Sequence, residues 1–137
     1  MIELDNQTDI NIDIDILEEI ANEEKIIELI IVNNDTMQQI NLEQRGVDKT
    51  TDVLSFPLEN FPHFPLGSIV INSELAAIKA KELGHELKDE ITLMFIHGLL
   101  HVKGFDHECD EGQMRKEEEK LINEFNLPKS LIIRMES

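Results

Sequence analysis

No basic residue precedes Lys25 in this chain, whereas nine acidic ones lie between Glu3 and Glu24. Positive charge stays scarce throughout: 12 lysines and arginines face 29 aspartates and glutamates, a formal net charge of −17 over 137 residues. Such a field repels polyanions at long range, so a nucleic acid could be held only by a local site. Cysteine occurs once, at Cys109, which excludes an intramolecular disulfide and fits a reducing cytoplasm. The opening MIELDNQTD has neither a basic n-region nor an apolar h-region, so no secretory signal or transit peptide is expected. Long apolar runs are missing too. The longest uncharged one, Ile91 to Val102, spans about twelve residues against the roughly twenty of a membrane span, and it reads as a buried core helix.

What remains is a chain that is 41% apolar, without internal repeats, low-complexity linkers or a Pro/Gly-rich seam, which predicts a single domain over residues 1–137. Helix and strand signals alternate. Met1 to Leu4 reads as a first strand and Asp13 to Glu23 as an amphipathic helix. The run Ile26 to Val32, rich in β-branched residues and followed by Asn33-Asn34-Asp35, reads as a buried strand ending in a turn, with a short helix over Thr36 to Gln44. Thr51 to Phe56 and Ser68 to Asn72 are two more strands, separated by a loop too irregular for a tight hairpin. Ser73 is placed to cap a helix that ends at Gly84. The next helix, from about Lys88 to Lys103, is apolar on nearly all sides and belongs in the middle of the domain. Asp110 and Gln113 suggest a capped start for a last helix with an apolar stripe of Met114, Leu121, Ile122 and Phe125. The fold class expected is α+β.

Chemistry concentrates in HGLLHVKGFDH, residues 97–107. His97 and His101, four apart on a helix, project from one face and can reach one metal. Gly104 permits the left-handed backbone that reverses the chain, so that His107 can swing back as a third ligand. Three neutral imidazoles leave one tetrahedral position of zinc open for a water activated near neutral pH. Two histidines at helical spacing could equally be core residues bonded to backbone, but three of the five histidines within eleven residues, around a turn glycine, favour a metal. A closed structural site would need a fourth ligand, for which Cys109 and Asp106 are the local candidates.

The spacing equals that of the metzincin proteases, but Gly98 stands where those carry the general-base glutamate. The eleven residues instead resemble the signature of the YbeY family of bacterial metallo-endoribonucleases, H-G-x-L-H-[LV]-x-G-[YF]-D-H. Arg45-Gly46, the Thr51 to Pro57 segment TDVLSFP and the Leu66 to Asn72 segment LGSIVIN extend the resemblance upstream. The resemblance implies an α+β fold with a small, mostly parallel mixed sheet and a central helix carrying the ligand histidines. It also implies one zinc per chain on His97, His101 and His107, an active-site arginine at Arg45, and hydrolysis of single-stranded RNA in small-subunit (16S) ribosomal RNA maturation and ribosome quality control. Departures from the family pattern are Gln44, Thr50 and Ser68, the last in place of an aspartate.

Arg45 offers a planar fork that fits phosphate bidentately; read without the resemblance, it is a surface arginine pairing with Glu43 or Asp48. The general base is unassigned, Asp106 being the nearest carboxylate in sequence. Zinc, Arg45, Lys49 and Lys103 could form a local positive pocket, because exposed charges beyond about 8 Å are largely screened at physiological salt. The acid-rich remainder would suit basic ribosomal proteins of the small subunit. DNA and membranes are not expected partners, and the location implied is cytoplasmic. Two rivals remain open: a metalloprotease or amidase drawing its base from Glu90 or Glu108, and a non-catalytic ribosome-assembly factor with structural zinc.

Overall fold

In the computed structural model, which describes residues 1–58, 64–106 and 111–128, the elements run β1 (Ile2–Asn6), α1 (Ile14–Ala21), β2 (Ile27–Val32), α2 (Asn34–Arg45), β3 (Val53–Pro57), β4 (Gly67–Asn72), α3 (Ser73–Leu83), α4 (Leu87–Val102) and α5 (Gln113–Glu124). The strands form one sheet in the order β1-β2-β4-β3, in which β1, β2 and β4 are parallel and the edge strand β3 is antiparallel to β4. The strand signals place β2 correctly in the interior: Ile27, Leu29, Ile31 and Val32 are all fully buried, as expected of a parallel strand covered on both faces. β3 and β4 are nonetheless antiparallel neighbours, and the Leu58 N–H donates to the Leu66 carbonyl at 3.1 Å.

Side-chain alternation along the strands sorts the core into two layers. Ile27, Leu29, Ile31, Ile69 and Ile71 face α1, α4 and α5, while Val32, Leu54 and Val70 face Met37 and Ile40 of α2 on the other side. In α4, Phe95, Ile96 and Leu99 are at most 1% exposed, and each such side chain contributes about 1.5–3 kcal/mol by leaving water. This helix was expected from about Lys88 to Lys103 and is found within one residue of that range at each end.

The helix ends differ where side-chain amides act. Asn33, read as part of a turn, is the N-cap of α2 and accepts from the Thr36 N–H at 2.8 Å, so α2 starts two residues earlier than expected. Asn72, not Ser73, caps α3, accepting from the Glu74 and Leu75 N–H groups at 3.1 and 3.3 Å. Its carboxamide also donates to Asn34 Oδ1, Thr50 Oγ1 and the Thr51 carbonyl, more donation than the single hydrogen of a hydroxyl supplies. Ser73 turns inward and donates to the Val32 carbonyl. The last helix starts at Gln113 behind Gly112, with no side-chain cap; Asp110 lies outside the described residues.

Candidate metal centre

Gly98 sets where the histidines stand. A Cβ at this position would lie 2.7 Å from Ile69 Cγ2 and 3.2 Å from Ser55 Oγ, so the helix rests on β4 and β3 closer than any side chain allows. One residue back round the helix, about 100° away at 3.6 residues per turn, the His97–His101 row faces α5. Val102 packs at Gly67, the first residue of β4. α4 therefore runs opposite to β4, and its histidine end lies where β2 and β4 begin.

His97 and His101 approach with Nε2 to Nε2 at 3.1 Å, their rings at 79°. Each ring is held from behind. His97 Nδ1 lies 3.0 Å from Glu118 Oε1 on α5, and His101 Nδ1 lies 3.1 Å from the Phe105 carbonyl oxygen. A carbonyl only accepts, so His101 Nδ1 carries the proton in that bond, and the carboxylate asks the same of His97. In the neutral rings both Nε2 atoms then carry no proton and face each other, an arrangement that a cation between them would relieve. Two nitrogens bound to one tetrahedral zinc at about 2.0–2.1 Å would stand roughly 3.3 Å apart, within a few tenths of an ångström of the spacing here. The donor set thus fits a metal ion. His97 is 34% exposed at its side chain, which leaves the cluster open to solvent.

The turn after α4 does two things. Gly104, at φ +103, donates to the His101 carbonyl, and Phe105 N–H donates to the Leu100 carbonyl. That reversal brings the Phe105 oxygen back onto His101 Nδ1. His107, Glu108, Cys109 and Asp110 lie outside the described residues, and among the described residues no group of three metal-binding side chains occurs.

Arg45 is the last residue of α2, exposed, and without a hydrogen-bond or ion-pair partner among the described residues. The carboxylates that would make it an ordinary surface pair are engaged elsewhere, Glu43 with Gln39 and Asp48 with Gln38. α2 and α4 cover opposite faces of the sheet. Lys103 Nζ donates to the Ala21 carbonyl at the end of α1. Glu90, a candidate base for a protease, is fully buried near the start of α4 and bonded to His85 Nδ1 at 3.0 Å, two turns of helix from His97. Ser68, which lacks the family's carboxylate, donates to Glu28 Oε2 across the strand pair at 3.0 Å, so a carboxylate still occupies that level of the sheet. A cavity of about 690 Å³ opens at the other end of α4, lined by Ile12, His85, Leu87 and Ile91 among others, and touches neither the histidine pair nor Arg45.

Glu118 is the residue that reading the sequence missed. It sits in a run of glutamates whose outer members, Glu117 and Glu119, meet Lys120 and Arg115 at the surface. The available signal was position: Glu118 is four residues after Met114 and three and four before Leu121 and Ile122, on the buried stripe.

Comparison with known proteins agrees along nearly the whole chain. The family model described as Endoribonuclease YbeY matches residues 2–126. A protein of Helicobacter pylori (strain G27) named Endoribonuclease YbeY is 56% identical over 137 residues, covering 98% of this chain and 96% of that protein. One of the same name from Campylobacter jejuni (strain RM1221) is 61% identical over 123 residues, covering 88% and 91%. The solution structure of a Thermotoga maritima protein is similar with a TM-score of 0.64 at 26% identity, covering 96% of this chain and 95% of that one.

Proposed function

This chain belongs to the endoribonuclease YbeY family, and from that premise we propose that it is a zinc-dependent endoribonuclease cutting single-stranded RNA, with His97, His101 and His107 as metal ligands and Arg45 meeting the phosphate. The observation that carries the metal reading is the pair of bare Nε2 atoms 3.1 Å apart, each imidazole held by an acceptor at its other nitrogen. One zinc per chain is the stoichiometry this implies. A zinc ion in that place supplies Lewis acidity toward a phosphoryl oxygen and a water made acidic near neutral pH.

The chain's own residues bind and orient. Arg45 presents five donors in a rigid fork that matches phosphate, and nothing among the described residues occupies it. Since α2 and α4 cover opposite faces of the sheet, RNA that touches both Arg45 and the histidines has to run across the end of the sheet. That path suits an extended strand better than a stiff duplex. Among the described residues, neither position 98, which has no room even for a methyl group, nor Glu90, buried against His85, supplies the carboxylate of a protease mechanism.

The biological substrate in this reading is small-subunit ribosomal RNA in the cytoplasm, with the acid-rich surface facing basic ribosomal proteins and with neither DNA nor membrane as partner. No helix among the described residues is long and apolar enough to cross a membrane. The test is a substrate panel for zinc-loaded protein: a single-stranded RNA, the same sequence as a duplex, its DNA counterpart and an unfolded protein. Cleavage of the single-stranded RNA alone is expected. Digestion of the unfolded protein with RNA intact would overturn the reading in favour of a peptidase.

A further inference from the structure

Glu118 places a carboxylate on a helix stripe whose other members, Met114, Leu121 and Ile122, are buried, and its own side chain is only 8% exposed. Burying a charge costs several kcal/mol unless a specific partner offsets it. The partner here is His97 Nδ1 at 3.0 Å. The flanking Glu117 and Glu119 meet lysine and arginine at the surface, so the inward carboxylate is singled out by its place on the stripe.

We infer that Glu118 is the positioning residue of His97: its carboxylate holds the ring in the Nδ1-protonated tautomer and in one orientation, so that Nε2 is presented bare toward His101. This rests on the reading of His97 as a metal ligand given above and names what readies it. Which ring nitrogen carries the proton is set by the hydrogen bond the other makes, and a carboxylate behind an imidazole also raises its strength as a ligand. The two histidines are supported unequally. His101 Nδ1 leans on a backbone carbonyl of the following turn, whereas His97 Nδ1 leans on a side chain of the last helix. Docking of α5 on α4 thereby bears on the metal centre, through the hydrogen bond between His97 Nδ1 and Glu118.

The rival is that Glu118 merely braces α5 against α4. Two measurements on Glu118→Gln and Glu118→Leu separate the ideas. Long-range proton–nitrogen NMR of the metal-free protein at alkaline pH reads the His97 tautomer, and competition with a chromophoric chelator reads zinc affinity. In the wild-type protein His97 is expected as the Nδ1–H form. Glu118→Gln retains an acceptor, so it should keep that tautomer and lose roughly tenfold in zinc affinity. Glu118→Leu should shift the ring toward the Nε2–H form and lose about 10- to 100-fold. The thermal midpoint of metal-free Glu118→Leu carries two opposing effects, relief of a buried carboxylate and loss of the acceptor for His97 Nδ1–H, so the tautomer and the zinc affinity decide. Unchanged tautomer and zinc affinity in Glu118→Leu would make Glu118 a brace and overturn the inference. Should Glu118→Leu not fold, a zinc affinity for Glu118→Gln equal to wild type overturns it equally. If wild-type protein binds no zinc, the metal reading fails, while the tautomer comparison still decides what Glu118 does to His97.

Discussion

Replacing Gly98 with alanine pits two physical effects of opposite sign against each other. Helix propensity alone favours alanine over glycine by about 0.8–1 kcal/mol at an interior helical position. Packing opposes it: the new methyl would stand 2.7 Å from Ile69 Cγ2, 3.2 Å from Ser55 Oγ and 3.4 Å from Ile69 Cγ1. Carbon atoms prefer about 3.5–4.0 Å, so the first contact is short by roughly 1 Å. Ile69 cannot retreat, being 0% exposed on β4 between β2 and β3. Overpacking of this kind costs about 1–3 kcal/mol, occasionally more; with about 0.8–1 kcal/mol of propensity subtracted the net is about 0–2 kcal/mol, and the buried, immobile Ile69 puts Gly98→Ala in the upper half of that range, a destabilisation of about 1–2 kcal/mol. At this chain length that corresponds to a fall of roughly 3–8 °C in thermal midpoint. Adding Ile69→Ala removes both clashing carbons, so the double variant should be less destabilised than the sum of the singles. Denaturation of metal-free protein followed by circular dichroism checks this. A stabilised Gly98→Ala protein, or strict additivity with Ile69→Ala, would refute the claim that close approach to the sheet fixes this glycine.

Gly104→Ala meets no atom within 4 Å but has φ +103, so it should cost about 1–2 kcal/mol through backbone strain alone and weaken zinc binding by loosening the Phe105 carbonyl behind His101; chemical denaturation and chelator competition measure the two parts. Arg45 is exposed and lacks a partner among the described residues, so Arg45→Ala should leave stability within about 0.5 kcal/mol of wild type while lowering RNA turnover by roughly a hundredfold or more. Arg45→Lys, a point charge in place of a fork, should recover only part of that loss; near-normal turnover in a folded, zinc-loaded Arg45→Ala protein would return Arg45 to the surface.

The parts of this molecule that were legible in its sequence are those encoded by local pattern. β2 announces itself by its β-branched run, α4 by its length and uniform apolarity, and the histidine spacing by helical geometry. Gly84 ends α3 at φ 72, as its position suggested. What local pattern could not give were effects that depend on groups far apart in the chain. Asn72 displaces Ser73 as a cap because Asn34 and Thr50 come within reach of its amide only after folding. Lys103, inside the metal motif, reaches back to donate to the Ala21 carbonyl, 82 residues away in the chain. Glu118 lay in a run of similar residues; its place on the apolar stripe was readable, but its partner, His97 on α4, is 21 residues away in the chain. Arg45 was legible by family resemblance alone; its place on the opposite side of the sheet from α4 follows from the alternation of the strands.

The most direct test of the account removes the metal and restores it. Protein stripped by a chelator, then given increasing zinc, should bind about one equivalent per chain and regain cleavage of a single-stranded RNA in proportion to zinc bound, whereas His97→Ala and His101→Ala proteins should fold, hold zinc far more weakly and cleave little. RNA cleavage at an undiminished rate by the stripped protein, or tight stoichiometric zinc in the double His97→Ala, His101→Ala variant, would contradict it.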